Sequence, residues 1–214
     1  MRVRTICIIL GAMMLFSSIL YAAEGVFTEV KGKVEYRLPG SNWQKAAVGV
    51  PVPTGAQIST GFNSRASIEI EEAVLHVDAL TRMRIDELVK KGGLISTDIN
   101  LKVGRIQASV RRTEGLRHNF KLRSAQSTAA VRGTSFIYDG INLAVFDGTV
   151  RFTNPFNIGR NVSAGGEAIM GQDGLLRSGI LDDNFMTPFE GTSSIKVLEY
   201  GSVGGTVTFG EIVD

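Results

Sequence analysis

Short stretches of this chain alternate between apolar and polar residues with a period of two. Between residues 65 and 70, Ala66, Ile68 and Ile70 are apolar and the residues between them are polar. Such alternation is typical of a strand with one buried face. Similar short runs occur at 26–30, 33–36, 75–77 and 83–85, and turn residues separate them. The pattern after residue 24 predicts an all-β domain with no convincing amphipathic helix, although residues 86–91 could form one helical turn before Gly92.

Three glycines coincide with a shift of one residue in the apolar set. In a flat strand such a shift would turn the apolar face toward water, whereas a bulge or corner keeps the same face inward. The sets are Ile99, Leu101 and Val103 with Ile106, Ala108 and Val110 around Gly104; Ala129 and Val131 with Phe136 and Tyr138 around Gly133; and Ile141, Leu143 and Val145 with Val150 and Phe152 around Gly148. We therefore predict a β-solenoid-like fold or a bent β-sandwich of short strands with glycine corners. No strict repeat supports a regular hexapeptide helix.

The first 23 residues have the composition of an export signal. Arg2 and Arg4 precede an apolar run from Ile6 to Phe16, and small residues follow at 22–23. We expect a cleaved signal helix over 1–23 and a periplasmic or otherwise exported protein without a transmembrane segment after cleavage. An uncleaved N-terminal anchor is the alternative, because residues 6–23 reach the lower limit for spanning a bilayer.

Charge and cysteine content change once the signal is set aside. The one cysteine, Cys7, lies within the signal, so disulfides are not expected in the mature chain. Without Arg2 and Arg4, 21 basic residues face 21 acidic ones. The basic character of the whole chain is therefore no indication of nucleic-acid binding, and no helical reader or aromatic interleaving supports it.

Basic residues are concentrated between 102 and 123, and acidic residues predominate after 167. The basic cluster consists of Lys102, Arg105, Arg111, Arg112, Arg117, Lys121 and Arg123. Two interpretations remain open. The cluster is a solvated loop, or it contacts an anionic envelope surface such as phospholipid or polysaccharide, or the acidic region of the same chain.

Catalytic patterns are weak in this sequence. His76 and His118 are the only histidines and lack the spacing of a zinc site. No carboxylate pair suits general acid and base chemistry, and no serine lies in a nucleophile-elbow motif. The glycine pairs lack the features of a phosphate loop. The sequence therefore predicts neither an enzyme nor a metal or cofactor site.

Two short motifs are the most specific features of the chain. Residues 131–136 (VRGTSF) and 145–150 (VFDGTV) together resemble the hallmark of the FecR domain family. The resemblance extends back through Trp43 and residues 58–68 and forward through 162–174, so that about residues 30 to 175 are covered. It implies a periplasmic all-β, solenoid-like domain. In the best-known members this domain is the outer half of a transmembrane anti-sigma regulator that relays a signal from a TonB-dependent transporter.

The chain departs from that regulator plan, because no anti-sigma segment precedes the apolar run and nothing after 175 resembles the regulators' final domain. We expect a signal peptide at 1–23, a FecR-type domain at 24–175, and a C-terminal extension at 176–214 that packs on the domain as two strands. The predicted function is a non-catalytic binding or scaffold module whose partner is another envelope protein or an anionic envelope polymer. The alternative is a periplasmic regulatory module in transporter-linked sigma/anti-sigma signalling. A carbohydrate-active or peptidoglycan-processing enzyme is disfavoured, because the sequence offers no acid pair.

The motif residues themselves are predicted to be structural. They are Val131, Arg132, Gly133, Thr134, Phe136, Asp147, Gly148 and Val150. For Arg132 two roles are open. Its guanidinium bonds carbonyls or a carboxylate such as Asp147 at the corner, or it faces a groove and binds an anionic ligand or a partner's carboxylate.

Overall fold

The computed structural model describes residues 24–179 and Phe185, and every regular element within 24–179 is a β-strand. The predicted signal at 1–23 and the predicted closing strands after 195 lie outside the described residues. In chain order the strands are β1 Gly25–Lys31, β2 Val34–Arg37, β3 Gln44–Lys45, β4 Pro51–Val52, β5 Gln57–Thr60, β6 Arg65–Ile70, β7 Ala73–Val77, β8 Arg82–Lys91, β9 Leu94–Val103, β10 Ile106–Val110, β11 Arg117–Arg123, β12 Thr128–Val131, β13 Thr134–Tyr138, β14 Asn142–Asp147, β15 Thr149–Thr153, β16 Gly159–Ser163, β17 Glu167–Met170 and β18 Leu176–Arg177.

The strands form two nine-stranded sheets, and the chain passes back and forth between them. Sheet A has the order β18-β17-β14-β13-β10-β7-β6-β1-β4, and sheet B has the order β16-β15-β12-β11-β9-β8-β5-β2-β3. Hairpins such as β8–β9 are antiparallel, whereas β9 and β11 pair in parallel, because the chain visits sheet A through β10 between them. The all-β prediction is confirmed, with short strands in two sheets. The solenoid-like form stays a prediction.

One apolar core lies between the two sheets. Apolar side chains of both sheets belong to a single buried cluster. Aromatic rings join the sheets edge to face: Phe27 with Tyr36 at 6.1 Å between centroids, Phe120 with Phe136 at 6.4 Å, and Tyr138 with Phe152 at 6.2 Å. Such pairs add about 0.5–1.5 kcal/mol each beyond their buried area.

The predicted glycine corners are confirmed. Gly104 lies between β9 of sheet B and β10 of sheet A, Gly133 between β12 and β13, and Gly148 between β14 and β15. All three have positive φ, at 98°, 80° and 78°. At Gly148 a Cβ would also lie 2.6 Å from the carbonyl oxygen of Gly133, so a larger residue would push two corners apart. The shift in apolar positions therefore marks the passage from one sheet to the other.

Three details of the sequence interpretation were wrong. Residues 86–91 are the second half of β8 rather than a helical turn. The register shift between Ile85 and Glu87 puts the next buried residue at Leu88, and the resulting spacing of three imitates a helix. Val103 and Ile141, both assigned to the inward-facing set, are 59% and 41% exposed. Val103 is the last residue of its strand, and Ile141 lies in the turn after β13.

Candidate protein-binding surface

Two threonines tie three neighbouring corners of the molecule together. The hydroxyl of Thr60, at the end of β5, accepts a hydrogen bond from the backbone N–H of Thr81 at 2.9 Å and donates to the carbonyl of Asp78 at 2.5 Å. The hydroxyl of Thr81 accepts from the N–H of Arg105 at 3.1 Å. Leu80 N–H donates to the carbonyl of Gly61 at 3.2 Å. These bonds link the corners at 61–64, 78–81 and 104–105 into one ordered rim.

Three apolar side chains project from this rim, and we call them the corner ridge: Phe62, Leu80 and Val103. Their exposed fractions are 82%, 50% and 59%. Leu80 also has a φ of +56°, which is an unfavourable conformation for a leucine. Contiguous exposed apolar surface often marks a protein-binding site, and backbone strain tends to concentrate at functional positions. The sequence interpretation missed this site, although large apolar residues in turns were a signal that could have revealed it.

Polar groups flank the corner ridge. The guanidinium of Arg105 forms an ion pair with Asp78, and its Nη1 donates to the carbonyl of Phe185 at 3.2 Å. Asn63, next to Phe62, has a φ of +48°, which asparagine tolerates better than most residues. The apolar centre with a polar surround resembles the arrangement of protein interfaces.

Most motif residues serve the core or the corners. Val131, Thr134, Phe136 and Val150 are buried. The Thr134 hydroxyl donates to the carbonyl of Thr149 at 3.2 Å, which ties the corner at Gly133 to the corner at Gly148. Asp147 is exposed at the end of β14. These positions show how the motif holds two corners together.

For Arg132, the structural and the ligand-binding roles both stay predictions. Its side chain is exposed, and no hydrogen bond or ion pair of its guanidinium occurs within the part of the chain that the structure describes. Arg112 lies at that corner instead, and its Nε donates to the carbonyl of Arg132 at 3.0 Å.

The basic cluster is divided among three places. Lys102 and Arg105 lie at the corner-ridge end of the strands, whereas Arg111, Arg112 and Arg117 lie at the opposite end. Lys121 and Arg123 lie on the outer face of sheet B, where Arg123 pairs with Asp98 at 2.8 Å. The sequence neighbours are separated because β10 and β11 belong to different sheets. Contact with an anionic surface stays a prediction for each group.

The two histidines do not form a catalytic or metal site among the described residues. His76 Nδ1 lies 2.9 Å from the hydroxyl of Ser67, which donates to Glu29 at 3.1 Å. The serine lies between the other two groups and is 4% exposed, so the carboxylate cannot orient the imidazole as a base. His118 is buried, and its Nε2 has no partner in residues 24–179 or Phe185. Burial lowers the pKa of both histidines below 6.5. No three potential metal ligands cluster within those same residues.

Two sheets joined by glycine corners, with an ordered rim at one end, define an all-β domain. Residues 56–151, a little under half of the chain, match the family model described as FecR protein, which confirms the resemblance that the two motifs predicted. The matched region runs from just before β5 into β15 and includes the corner ridge and both motifs.

Similarity to solved structures is more distant. Two crystal structures, at 1.65 Å and 2.50 Å resolution, of a "putative anti-sigma factor" from Parabacteroides distasonis ATCC 8503 share 20% and 19% identity with this chain. Each match has a TM-score of 0.48 and covers 59% of this chain and 60% of the other. No curated protein matches the chain. Among the described residues, no helix is long and apolar enough to cross a bilayer.

Proposed function

We propose that this protein is a regulatory module of a signalling route and that it acts by binding another protein through the corner ridge. The observation that carries the proposal is the ridge itself, because its three exposed apolar side chains lie within the region that matches the FecR model. The backbone beneath them is already ordered by Thr60 and Thr81, so a partner would not have to order it on binding.

The site of action in this proposal is the periplasm, reached through the export signal at 1–23. The partner in this proposal is a membrane-anchored signalling protein. Support for a regulatory role comes from the FecR match, and it favours signalling over a purely structural scaffold.

The test is a cross-linked pulldown of the full chain from the envelope of the organism that encodes it. Phe62→Ser and Leu80→Asn together remove two of the three apolar side chains of the ridge, and the asparagine accepts the positive φ of position 80. We expect capture of the partner to fall about tenfold or more, since a central apolar contact in an interface contributes about 1–3 kcal/mol.

The matched control is Phe156→Ser, because Phe156 is 83% exposed but lies in the loop between β15 and β16. This variant should capture the partner as well as the wild type does. Equal capture by the ridge variant, or recovery of envelope polymers without any signalling protein, would contradict the proposal.

A further inference from the structure

One row of side chains on the outer face of sheet A is buried, although it points away from the core. We call it the outer row: Ser67, His76, Gln107, Ile137 and Ala144. Each member lies directly opposite the next on the neighbouring strand, from β6 through β7, β10 and β13 to β14. The row therefore crosses five adjacent strands at right angles.

The burial of this row is nearly complete at four positions. Ser67 and Gln107 are 4% exposed, Ile137 is 1% exposed and Ala144 is fully buried. Ile137 and Ala144 are not part of the core cluster between the sheets. All eighteen described strands belong to the two sheets, so none of them lies across this face. A sheet face without a cover is expected to be polar and solvated, so the outer row is a covered face.

Two described points place the chain's own C-terminal part on this side of sheet A. A Cβ at Gly179 would lie 3.0 Å from Cγ1 of Ile169, a residue of β17 on the outward side. The carbonyl of Phe185 accepts a hydrogen bond from Arg105, which directly precedes β10, the middle strand of the row. The chain therefore reaches the end of the outer row's central strand at residue 185.

We propose that the outer row is a docking groove for the C-terminal segment of the same chain, residues 186–214. Five strands spaced about 4.8 Å apart span about 19 Å, a distance that about six extended residues cover. The 29 residues after Phe185 exceed this length. They also carry apolar side chains suited to Ile137 and Ala144, namely Ile195, Val197, Leu198, Val203, Val207, Phe209 and Ile212.

The groove lies on a different surface from the corner ridge, so its test does not depend on the proposed partner.

The test places the photo-crosslinking amino acid p-benzoylphenylalanine at position 74 of the full chain. Val74 is half-buried on the outward face of β7, two residues from His76. Irradiation should give an intramolecular product whose cross-linked peptide comes from residues 186–214. The matched control carries the same group at Asn119, half-buried on the outer face of sheet B, and should give no cross-link to that segment.

Two outcomes would contradict the proposed docking of residues 186–214. Cross-links from position 74 that join two chains would show that a second copy covers this face. Cross-links confined to residues 24–179 would show that the C-terminal segment does not lie on the outer row. A second measurement uses a chain that ends at Phe185. Hydrogen exchange in β13 and β14 should rise in this variant, and a peptide of residues 186–214 added separately should restore protection. Unchanged exchange would also refute the proposal.

Discussion

The outer faces of the two sheets differ in the polarity and burial of their side chains. On sheet A the outer row carries no acidic or basic side chain other than the half-buried His76, and its remaining members are buried. On sheet B the corresponding strands carry charges that pair with one another: Arg123 contacts Asp98 at 2.8 Å and Asp86 at 3.5 Å, and Arg84 also pairs with Asp86. The outer row of sheet A is shielded from solvent, whereas the outer face of sheet B carries ion pairs in contact with solvent. The two faces should therefore differ sharply in their tolerance of charge.

The largest expected effect is a charge introduced into the outer row. Ile137→Asp places a carboxylate at a position that is 1% exposed, and we expect a loss of about 3 kcal/mol or more in the free energy of unfolding. Asn119→Asp, at a half-buried position of the sheet B face, should cost less than about 1 kcal/mol. Urea unfolding of both variants measures the difference. Equal losses in the free energy of unfolding would contradict the expected difference between the two faces.

An intermediate effect concerns the histidine of the outer row. Burial lowers the pKa of His76 below 6.5, and this effect outweighs the attraction of Glu29 and Asp78 for the charged form. The native protein then binds fewer protons than the unfolded chain at a pH below 6.5, so stability falls as the pH is lowered through that range.

His76→Gln should reduce this loss between about pH 7 and about pH 5, and chemical unfolding at several pH values measures it. The pH dependence of stability that remains in this variant comes in part from His118. Burial lowers the pKa of His118 and Lys90 lowers it further, whereas Glu72 and Glu71 oppose the shift. An unaltered slope in the glutamine variant would show that His76 does not titrate with unfolding.

The smallest effect is expected on sheet B. Asp98→Asn breaks the contact with Arg123, whose side chain is 43% exposed. Burial raises the pKa of Asp98 even though Arg123 opposes the shift, so the ionised carboxylate is poorly solvated there. The loss of the ion pair and the removal of a poorly solvated charge offset each other, so the change in the free energy of unfolding should stay below about 1 kcal/mol. A loss comparable to that of Ile137→Asp would show that the charged face also depends on a specific network.

Local patterning was enough to predict the corners but not the surfaces. Gly104, Gly133 and Gly148 could be identified because each corner shifts the apolar period by one residue, which is a local property. The bulge near Glu87 produced the opposite error, since it imitates a helical spacing.

The candidate sites depend on which strands become neighbours. Phe62, Leu80 and Val103 are separated in sequence and share one rim only because hydrogen bonds link their three corners. The basic residues between 102 and 123 are close in sequence and end on different surfaces, because β10 and β11 belong to different sheets. Strand pairing is a long-range property, so periodicity alone could predict neither result.

The strand order of the two sheets has a mechanical consequence. After β5, both sheets add strands in the order in which the chain produces them. A cut in the loop between β10 and β11 would therefore leave two fragments whose strands still meet along shared sheet borders, β9 beside β11 and β10 beside β13. Such fragments should be able to reassemble, which makes residues 111–116 a natural place to split this protein into complementary halves.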